Sequence, residues 1–175
     1  MGYIIISDDL SGAAAMASLI GPNIPVITIN RIKDFPKFSS RIISLDIETR
    51  NSTDALEKLN IVMEKFPDFN ILARIDTMLR GSTSEFIEFM SLRGKLTITD
   101  TIPDYGRYTT NGYTVYKGKK IDLNSVIPNT ASSNTMILDS ATYDDLKRIA
   151  RECVENELLP VDPGPLIANY LELIL

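Results

Sequence analysis

The chain alternates short apolar runs with segments of helical periodicity along most of its length. Continuous apolar runs such as Tyr3–Ser7 and Arg41–Asp46 are typical of strands that are covered on both faces. An alanine-rich segment, Ser11–Ile20, follows the first run and has no helix breaker after Gly12. Strand, helix and strand in succession imply parallel pairing. The sequence therefore predicts an α/β fold, a three-layer, doubly wound and mostly parallel sheet.

Further segments of both kinds continue the pattern. Apolar runs predict strands at residues 25–30, 70–75, 95–99, 135–138 and 158–161, and helical spacing predicts helices at 53–66, 84–90, 143–156 and 166–174. The alternation breaks between Ile102 and Asp122, where Tyr113–Tyr116 and the glycine after Lys117 predict a small inserted β-hairpin. Residues 125–134 are rich in Ser, Thr and Asn and predict an exposed loop of the kind that can be mobile.

Composition limits the class of protein. A chain of 175 residues with 44% hydrophobic and 23% charged residues is long enough for one compact domain, which we expect to span residues 1–175. The net charge of -5 argues against a general nucleic-acid or membrane-surface binder, because both need a basic footprint. The single cysteine, Cys153, lies on the apolar stripe of a predicted helix and is expected in the core. No signal peptide or membrane-length apolar run is present, which predicts a cytoplasmic protein.

The chain contains no histidine, and this restricts its chemistry. Histidine is the usual general base and the commonest metal ligand, so acid–base work would fall to carboxylates, lysines or tyrosines. We therefore expect no metal site of the usual zinc kind. The sequence also lacks GxxxxGK[ST], and no GxGxxG follows a predicted strand. A dedicated nucleotide phosphate loop is not expected.

Polar clusters with glycine follow three of the apolar runs, at Asp8–Ala13, Asp76–Gly81 and Gly106–Gly112. The carboxyl ends of parallel strands are where open α/β sheets build ligand sites, although each cluster alone also fits an ordinary turn or helix cap. Asp8 and Asp9 would point to opposite faces of an extended backbone. We expect one to cap the following helix and the other to face a ligand.

Arginines accompany these acidic residues. Glu48 and Arg50 follow the third predicted strand and either contribute to the site or form a surface ion pair. Arg80, directly before Gly81 and a helix, is typical of carboxylate or phosphate binding, with a plain helix-entry turn as the alternative. Arg107 adds a second guanidinium among hydroxyl side chains that would bind the ligand. The alternative is that these hydroxyls belong to exposed hairpin residues. Arginines for a carboxylate, with carboxylates and hydroxyls for OH groups, suit a polyhydroxy acid.

At these positions the chain resembles the N-terminal, substrate-binding domain of the four-carbon acid sugar kinase family. The family's DDLTGA, TeSR, KiDSTLRGN and PxxGRTTxxG motifs are matched in order by Asp8–Ala13, Ile47–Arg50, Arg74–Ser82 and Pro103–Gly112. Within these motifs Ser11 and Tyr108 each replace a threonine, and three further features depart from the pattern. Ala15 replaces a usual aspartate, Thr77-Met78 replaces Ser-Thr, and the GSAGL-like motif reads Asp162–Leu166.

The resemblance implies an ATP- and Mg²⁺-dependent kinase that phosphorylates a hydroxyl of a four-carbon sugar acid. Family members carry a C-terminal nucleotide-binding domain, which we expect to be absent from this chain. The chain would then bind the sugar acid, bind no cofactor alone, and act with a separate nucleotide-binding subunit. The expected substrate-binding residues are Asp8, Asp9, Ser11, Gly12, Glu48, Arg50, Asp76, Arg80, Gly81 and Arg107.

Two other functions fit the sequence. One is a stand-alone sugar-acid-binding or regulatory module without kinase activity, and the other is a small enzyme that uses its carboxylates for different chemistry. A homo-oligomer is compatible with each of them. The exact substrate is not predicted.

Overall fold

A computed structural model describes residues 2–34 and 40–175. In chain order these residues form β1 (Gly2–Ser7), α1 (Leu10–Ile20), β2 (Val26–Thr28), β3 (Ile42–Asp46), α2 (Ala55–Lys65), β4 (Phe69–Arg74), α3 (Thr83–Ser91), β5 (Leu96–Ile98), β6 (Tyr108–Thr110), β7 (Tyr113–Tyr116), β8 (Lys119–Asp122), β9 (Thr135–Ile137), α4 (Tyr143–Glu155), β10 (Leu159–Asp162) and α5 (Pro165–Ile174). The predicted bounds agree with these to within about two residues. The second strand is shorter than predicted because a 3₁₀ helix, Ile29–Asp34, begins directly after it.

Seven strands form one parallel sheet in the order β2-β3-β1-β4-β10-β5-β9. The central strand β1 pairs with β3 from Tyr3 opposite Ile42 to Ser7 opposite Asp46, and with β4 on its other side. Both neighbours therefore bring their carboxyl ends to the same edge as the end of β1. The predicted α/β class and parallel sheet are confirmed.

Helices cover both faces of this sheet. Ile4 of β1 packs in one apolar cluster with Leu59 of α2 and Phe86 of α3. Ile5, whose side chain points the opposite way, packs with Met16 of α1 and with α5. The three layers account for the uninterrupted apolar runs, since both faces of each central strand are buried. On the α1 side, α4 packs against α5, and Cys153 of α4 lies in the core as expected, where burial raises the pKa of its thiol to about 11.

The connections leave a crevice at the end of β1. The chain leaves β1 into α1 on one face, whereas β3 and β4 lead into α2 and α3 on the other face. Adjacent strands whose connections go to opposite faces are the place where doubly wound sheets bind ligands. The polar clusters after β1, β3 and β4 meet at this place.

The insertion forms a second, antiparallel sheet in the order β6-β7-β8. The predicted hairpin is confirmed as β7 and β8, with Gly118 at a φ of 75° in the turn. The strand β6 was not predicted. Thr109 of β6 exchanges backbone hydrogen bonds with Ser140, which joins the small sheet to the chain beyond β9.

The segment 125–134 is more ordered than its composition indicates. It begins within one 3₁₀ turn, Leu123–Val126, and ends in another, Ser132–Asn134. Most of its polar side chains are exposed as predicted, but Ala131 is fully buried. Within residues 2–34 and 40–175, no helix has both the length and the apolar character that a membrane crossing requires.

Candidate functional site

Charged side chains from three loops meet at the carboxyl ends of β1, β3 and β4. Arg50 lies at the centre, where Nε and Nη2 both bond the carboxylate of Asp8, with 2.9 Å between Nη2 and Oδ1. The same Nη2 lies 3.2 Å from Asp9 Oδ2 and 3.2 Å from Asp76 Oδ1. Arg80 is linked to this group by its ion pair with Asp76. We call Asp8, Asp9, Arg50, Asp76 and Arg80 the charge cluster.

Backbone hydrogen bonds place Arg50 beside Asp8. The amides of Thr49 and Arg50 each donate to the carbonyl oxygen of Asp8 at 2.9 Å, so the β3 loop is tied to the end of β1. Glu48 adopts a left-handed φ of 53° as the chain turns toward this contact. The Glu48 carboxylate bonds Asn30, and no ion pair links it to the charge cluster among the described residues. The structure thus brings Arg50 to the cluster but not the Glu48 side chain.

Of the two acidic residues after β1, Asp9 is the expected helix cap, and the ligand contact expected of the other stays a prediction. Asp9 caps α1, since its Oδ1 accepts from the Gly12 amide at 2.8 Å and its Oδ2 from the Ser11 hydroxyl at 2.8 Å. Burial alone would raise the pKa of Asp9, but these hydrogen bonds and the charge of Arg50 hold that pKa below its ordinary value. Asp8 is almost completely buried against Arg50.

Asp76 orients Arg80. Arg80 donates from Nε to Asp76 Oδ2 at 2.8 Å and from Nη2 to Oδ1 at 3.1 Å, while the amides of Met78 and Arg80 donate to Oδ2. Burial opposes ionisation of Asp76, yet hydrogen bonds from Arg80 and the charge of Arg50 lower its pKa overall. Asp76 is 5% exposed whereas Arg80 is 60% exposed. The buried Asp76 carboxylate therefore fixes the orientation of the exposed Arg80 guanidinium.

Gly81 allows the loops to approach one another. Its φ is 64°, in the left-handed region, and a β-carbon there would collide with Asp8 Oδ2 and lie 3.2 Å from the Cα of Arg50. Leu79 also has a left-handed φ, of 56°. Such conformations in residues other than glycine cost energy and occur at sites where the surroundings impose them.

The helix α3 begins beside this loop without a side-chain cap, since Ser82 donates to the Thr49 carbonyl oxygen at 3.2 Å instead. Free amides at a helix N-terminus attract anions. Arg80 and the start of α3 together therefore suit a carboxylate, and the acidic side chains of the charge cluster suit hydroxyl donors.

Two buried charged residues near the cluster were missed by the sequence analysis. Arg74, the last residue of β4, lies against Gly12 and donates from Nε to the Pro163 carbonyl oxygen at 3.2 Å. Its Nη1 is buried with no hydrogen-bond partner in the described part of the chain. Asp162, at the end of β10, accepts from the amides of Leu166 and Ile167 at the start of α5, and burial raises its pKa to about 7. The available signal was a charged residue next to the end of each predicted strand, Arg74 before Ile75 and Asp162 after Val161.

Arg107 has a different environment from the one expected. Arg107 is 3% exposed, and its Nη1 donates to Asp100 Oδ2 at 2.7 Å and to the Thr77 carbonyl oxygen at 2.8 Å. Asp100 is fully buried, and this burial raises its pKa to about 7 despite the charge of Arg107. The guanidinium is therefore engaged within the protein. Among the described residues, no hydrogen bond or ion pair joins it to the charge cluster.

The fold and this crevice define an α/β domain with charged loops at the carboxyl ends of parallel strands. Residues 3–129 match the family model for the sugar-binding N-terminal domain. Because the match covers more than half of the chain, the chain belongs to this family. The resemblance inferred from the motifs, to the substrate-binding domain of the four-carbon acid sugar kinases, is confirmed.

Solved structures share the fold. A DUF1537 protein from Bordetella bronchiseptica, crystallised with bound citrate as a domain-swapped dimer, superposes with a TM-score of 0.75 at 14% identity, over 97% of this chain and 56% of that one. A DUF1537 protein from Haemophilus influenzae gives a TM-score of 0.68 at 13% identity, over 97% and 55%. This chain thus spans little more than half of these proteins. No curated protein sequence matched it.

Proposed function

We propose that the charge cluster binds a small polyhydroxy acid, of the four-carbon sugar-acid class, as the substrate-binding half of an ATP-dependent acid sugar kinase. The observation that carries this proposal is Arg80, which buried Asp76 holds in place while its outer edge faces solvent next to the uncapped start of α3. A substrate carboxylate would bind there, and a substrate hydroxyl would donate to Asp9, the most exposed carboxylate of the charge cluster.

The charges support an anionic and hydroxylated ligand. The chain carries a net charge of -5, so an anion needs a local positive group, and the exposed edge of Arg80 provides one. The carboxylate of Asp9 is the most exposed of the three in the cluster, at 26%. The Bordetella relative was crystallised with citrate, which is itself a hydroxy acid.

We propose that nucleotide and Mg²⁺ bind outside the charge cluster. Arg50 and Arg80 already form ion pairs with all three of its carboxylates, and the described residues contain no group of three or more acidic or thiol side chains placed to hold a metal. We propose that a separate nucleotide-binding partner supplies both. The sugar-acid hydroxyl would then lose its proton to solvent as its oxygen bonds the γ-phosphorus of ATP, and the bond from that phosphorus to the leaving ADP would break.

Calorimetric titration of the chain tests the binding half. Tetronic acids should bind, whereas the corresponding tetritol, which has the hydroxyls but no carboxylate, should not. Equal binding of both, or binding of neither, would contradict the proposal.

The second candidate is a stand-alone sugar-acid-binding or regulatory module. The absence of a phosphate loop from these 175 residues favours it. Phosphorylation of a bound tetronate by ATP when a nucleotide-binding partner is added would exclude it, and binding without phosphorylation would support it.

A further inference from the structure

Arg107 and Asp100 form a buried ion pair outside the charge cluster. Their side chains are 4% and 0% exposed, and the Arg107 guanidinium stacks over the ring of Tyr116 at 4.7 Å. Thr114 of β7 donates to the same Asp100 oxygen at 2.8 Å, and the Asp100 amide donates to Thr109 of β6 at 2.8 Å. The pair is therefore fixed jointly by the end of β5 and by the small sheet.

The same guanidinium contacts the loop that carries Asp76 and Arg80. Arg107 Nη1 donates to the Thr77 carbonyl oxygen at 2.8 Å, and Nη2 lies 3.9 Å from the sulfur of Met78. In the sequence, Thr77 and Met78 lie between Asp76 and Arg80 of the proposed ligand site. Arg107 therefore touches the site's supporting loop from inside the protein.

We propose that Arg107 is a positioning residue: it holds the loop of residues 76–80 in its binding conformation and touches no ligand itself. The part of this inference that concerns affinity rests on the proposed function.

The loop needs external support because of its backbone. Leu79 has a left-handed φ of 56°, a conformation that persists only where the surroundings impose it. Removing Arg107 would leave the Thr77 carbonyl oxygen without this donor and Asp100 without its counter-charge, and both groups are costly to leave buried and unpaired. The loop would relax, and Arg80 would lose its alignment with Asp76.

Hydrogen exchange in the ligand-free protein tests the positioning role directly. The amides of Met78, Leu79 and Arg80 all donate to Asp76, so their exchange reports the loop conformation. In Arg107→Met these amides should exchange about tenfold faster or more. Arg93→Met is the control for loss of a stacked arginine at an exposed position, since Arg93 stacks on the ring of Phe89 and donates to a backbone carbonyl elsewhere in the protein. Unchanged exchange in Arg107→Met would overturn the proposal.

If Arg107→Met fails to fold, Arg107→Lys replaces it. An ammonium group still compensates the charge of Asp100. It ends one bond short of the position of Nη1, the atom that donates to both Asp100 and the Thr77 carbonyl oxygen, and it lacks the plane that stacks over Tyr116. The melting temperature should stay near that of the wild type while the same amides exchange faster. A stable Arg107→Lys protein with wild-type exchange would overturn the proposal equally.

A double-mutant cycle with tetronate separates positioning from direct contact. Arg107→Met should weaken binding about tenfold in the wild type but less than about twofold in the Arg80→Ala background, because a residue that acts through another shows non-additive effects. If Arg107→Met weakens tetronate binding by the same factor in the wild type and in the Arg80→Ala background, Arg107 contacts the ligand directly. If the wild type binds no tetronate, the proposed function fails, and the exchange measurement still decides the positioning role.

Discussion

Gly81 lies so close to Asp8 that a β-carbon at position 81 would collide with the Asp8 carboxylate. This contact joins the loop after β4 to the end of β1, and Arg50 lies between the carboxylates of Asp8 and Asp76.

Gly81→Ala should therefore lower the free energy of unfolding by more than the backbone strain of a left-handed alanine would cost alone. A left-handed alanine costs about 1–2 kcal/mol, and displacing Asp8 adds to this. Gly106→Ala is the matched control, because Gly106 has a φ of 63° but nothing within 4 Å of the added carbon. Urea unfolding should give the larger loss for Gly81→Ala. Equal losses would mean that the approach to Asp8 is readily relaxed.

Arg80→Ala should weaken tetronate binding while leaving the fold intact. Losing a hydrogen bond to a charged group costs about 1.5–3 kcal/mol, which is about tenfold or more in affinity. Arg80→Lys should recover only part of this, because lysine lacks the planar fork. Arg148→Ala on α4 is the control, at a similar exposure of 57%. Unchanged affinity in Arg80→Ala, or a collapsed melting transition, would instead assign Arg80 to the helix entry.

Gly12→Ala should destabilise the protein although it lies in a helix. Alanine normally stabilises a helix by about 1 kcal/mol relative to glycine. Here the added carbon would press on the buried Arg74 guanidinium and lie 2.9 Å from Asp9 Oδ1. A lower denaturation midpoint is expected, and a higher one would show that Arg74 moves aside freely.

The free energy of unfolding should fall as the pH rises from about 4 to about 7. Burial raises the pKa of Asp162 from 3.8 to about 7, so in this range the folded protein retains a proton that the unfolded chain has released. The contribution of Asp162 to the free energy of unfolding is complete below the pKa that Asp162 has in the unfolded chain. It is lost as the pH rises through the pKa that Asp162 has in the folded protein. In urea unfolding across this range Asp162→Asn should show a shallower slope, and an unchanged slope would mean that Asp162 is ionised when folded.

The chain alone should bind Mg-ATP weakly or not at all, since its 175 residues contain no phosphate loop. Calorimetric titration checks this. Micromolar affinity would contradict it and would remove the need for a nucleotide-binding partner.

The sheet was predictable because each central strand is an apolar run bounded by charged residues. The cluster of Asp8, Arg50, Asp76 and Arg80 followed from the rule that parallel strands end at one edge. The pairing of Arg107 with Asp100 did not, because it depends on how the inserted small sheet packs on β5. The sequence predicts that the hydroxyls after Arg107 either bind a ligand or are exposed hairpin residues, whereas Thr109 is buried in β6.

Arg74 and Asp162 escaped prediction for a topological reason. The strand β10 inserts between β4 and β5, which brings Asp162 beside Arg74 across the sheet. Residue spacing carries no information on this order, since these two residues are far apart in the chain.

The late position of β10 also bears on how the chain folds during synthesis. The strands β2, β3, β1 and β4 all lie within the first 74 residues and pair with one another, so this half of the sheet can form early. The pair β5 and β9 joins it only through β10. The sheet can therefore become continuous only after Asp162 has left the ribosome, and until then the facing edges of β4 and β5 remain open to other strands.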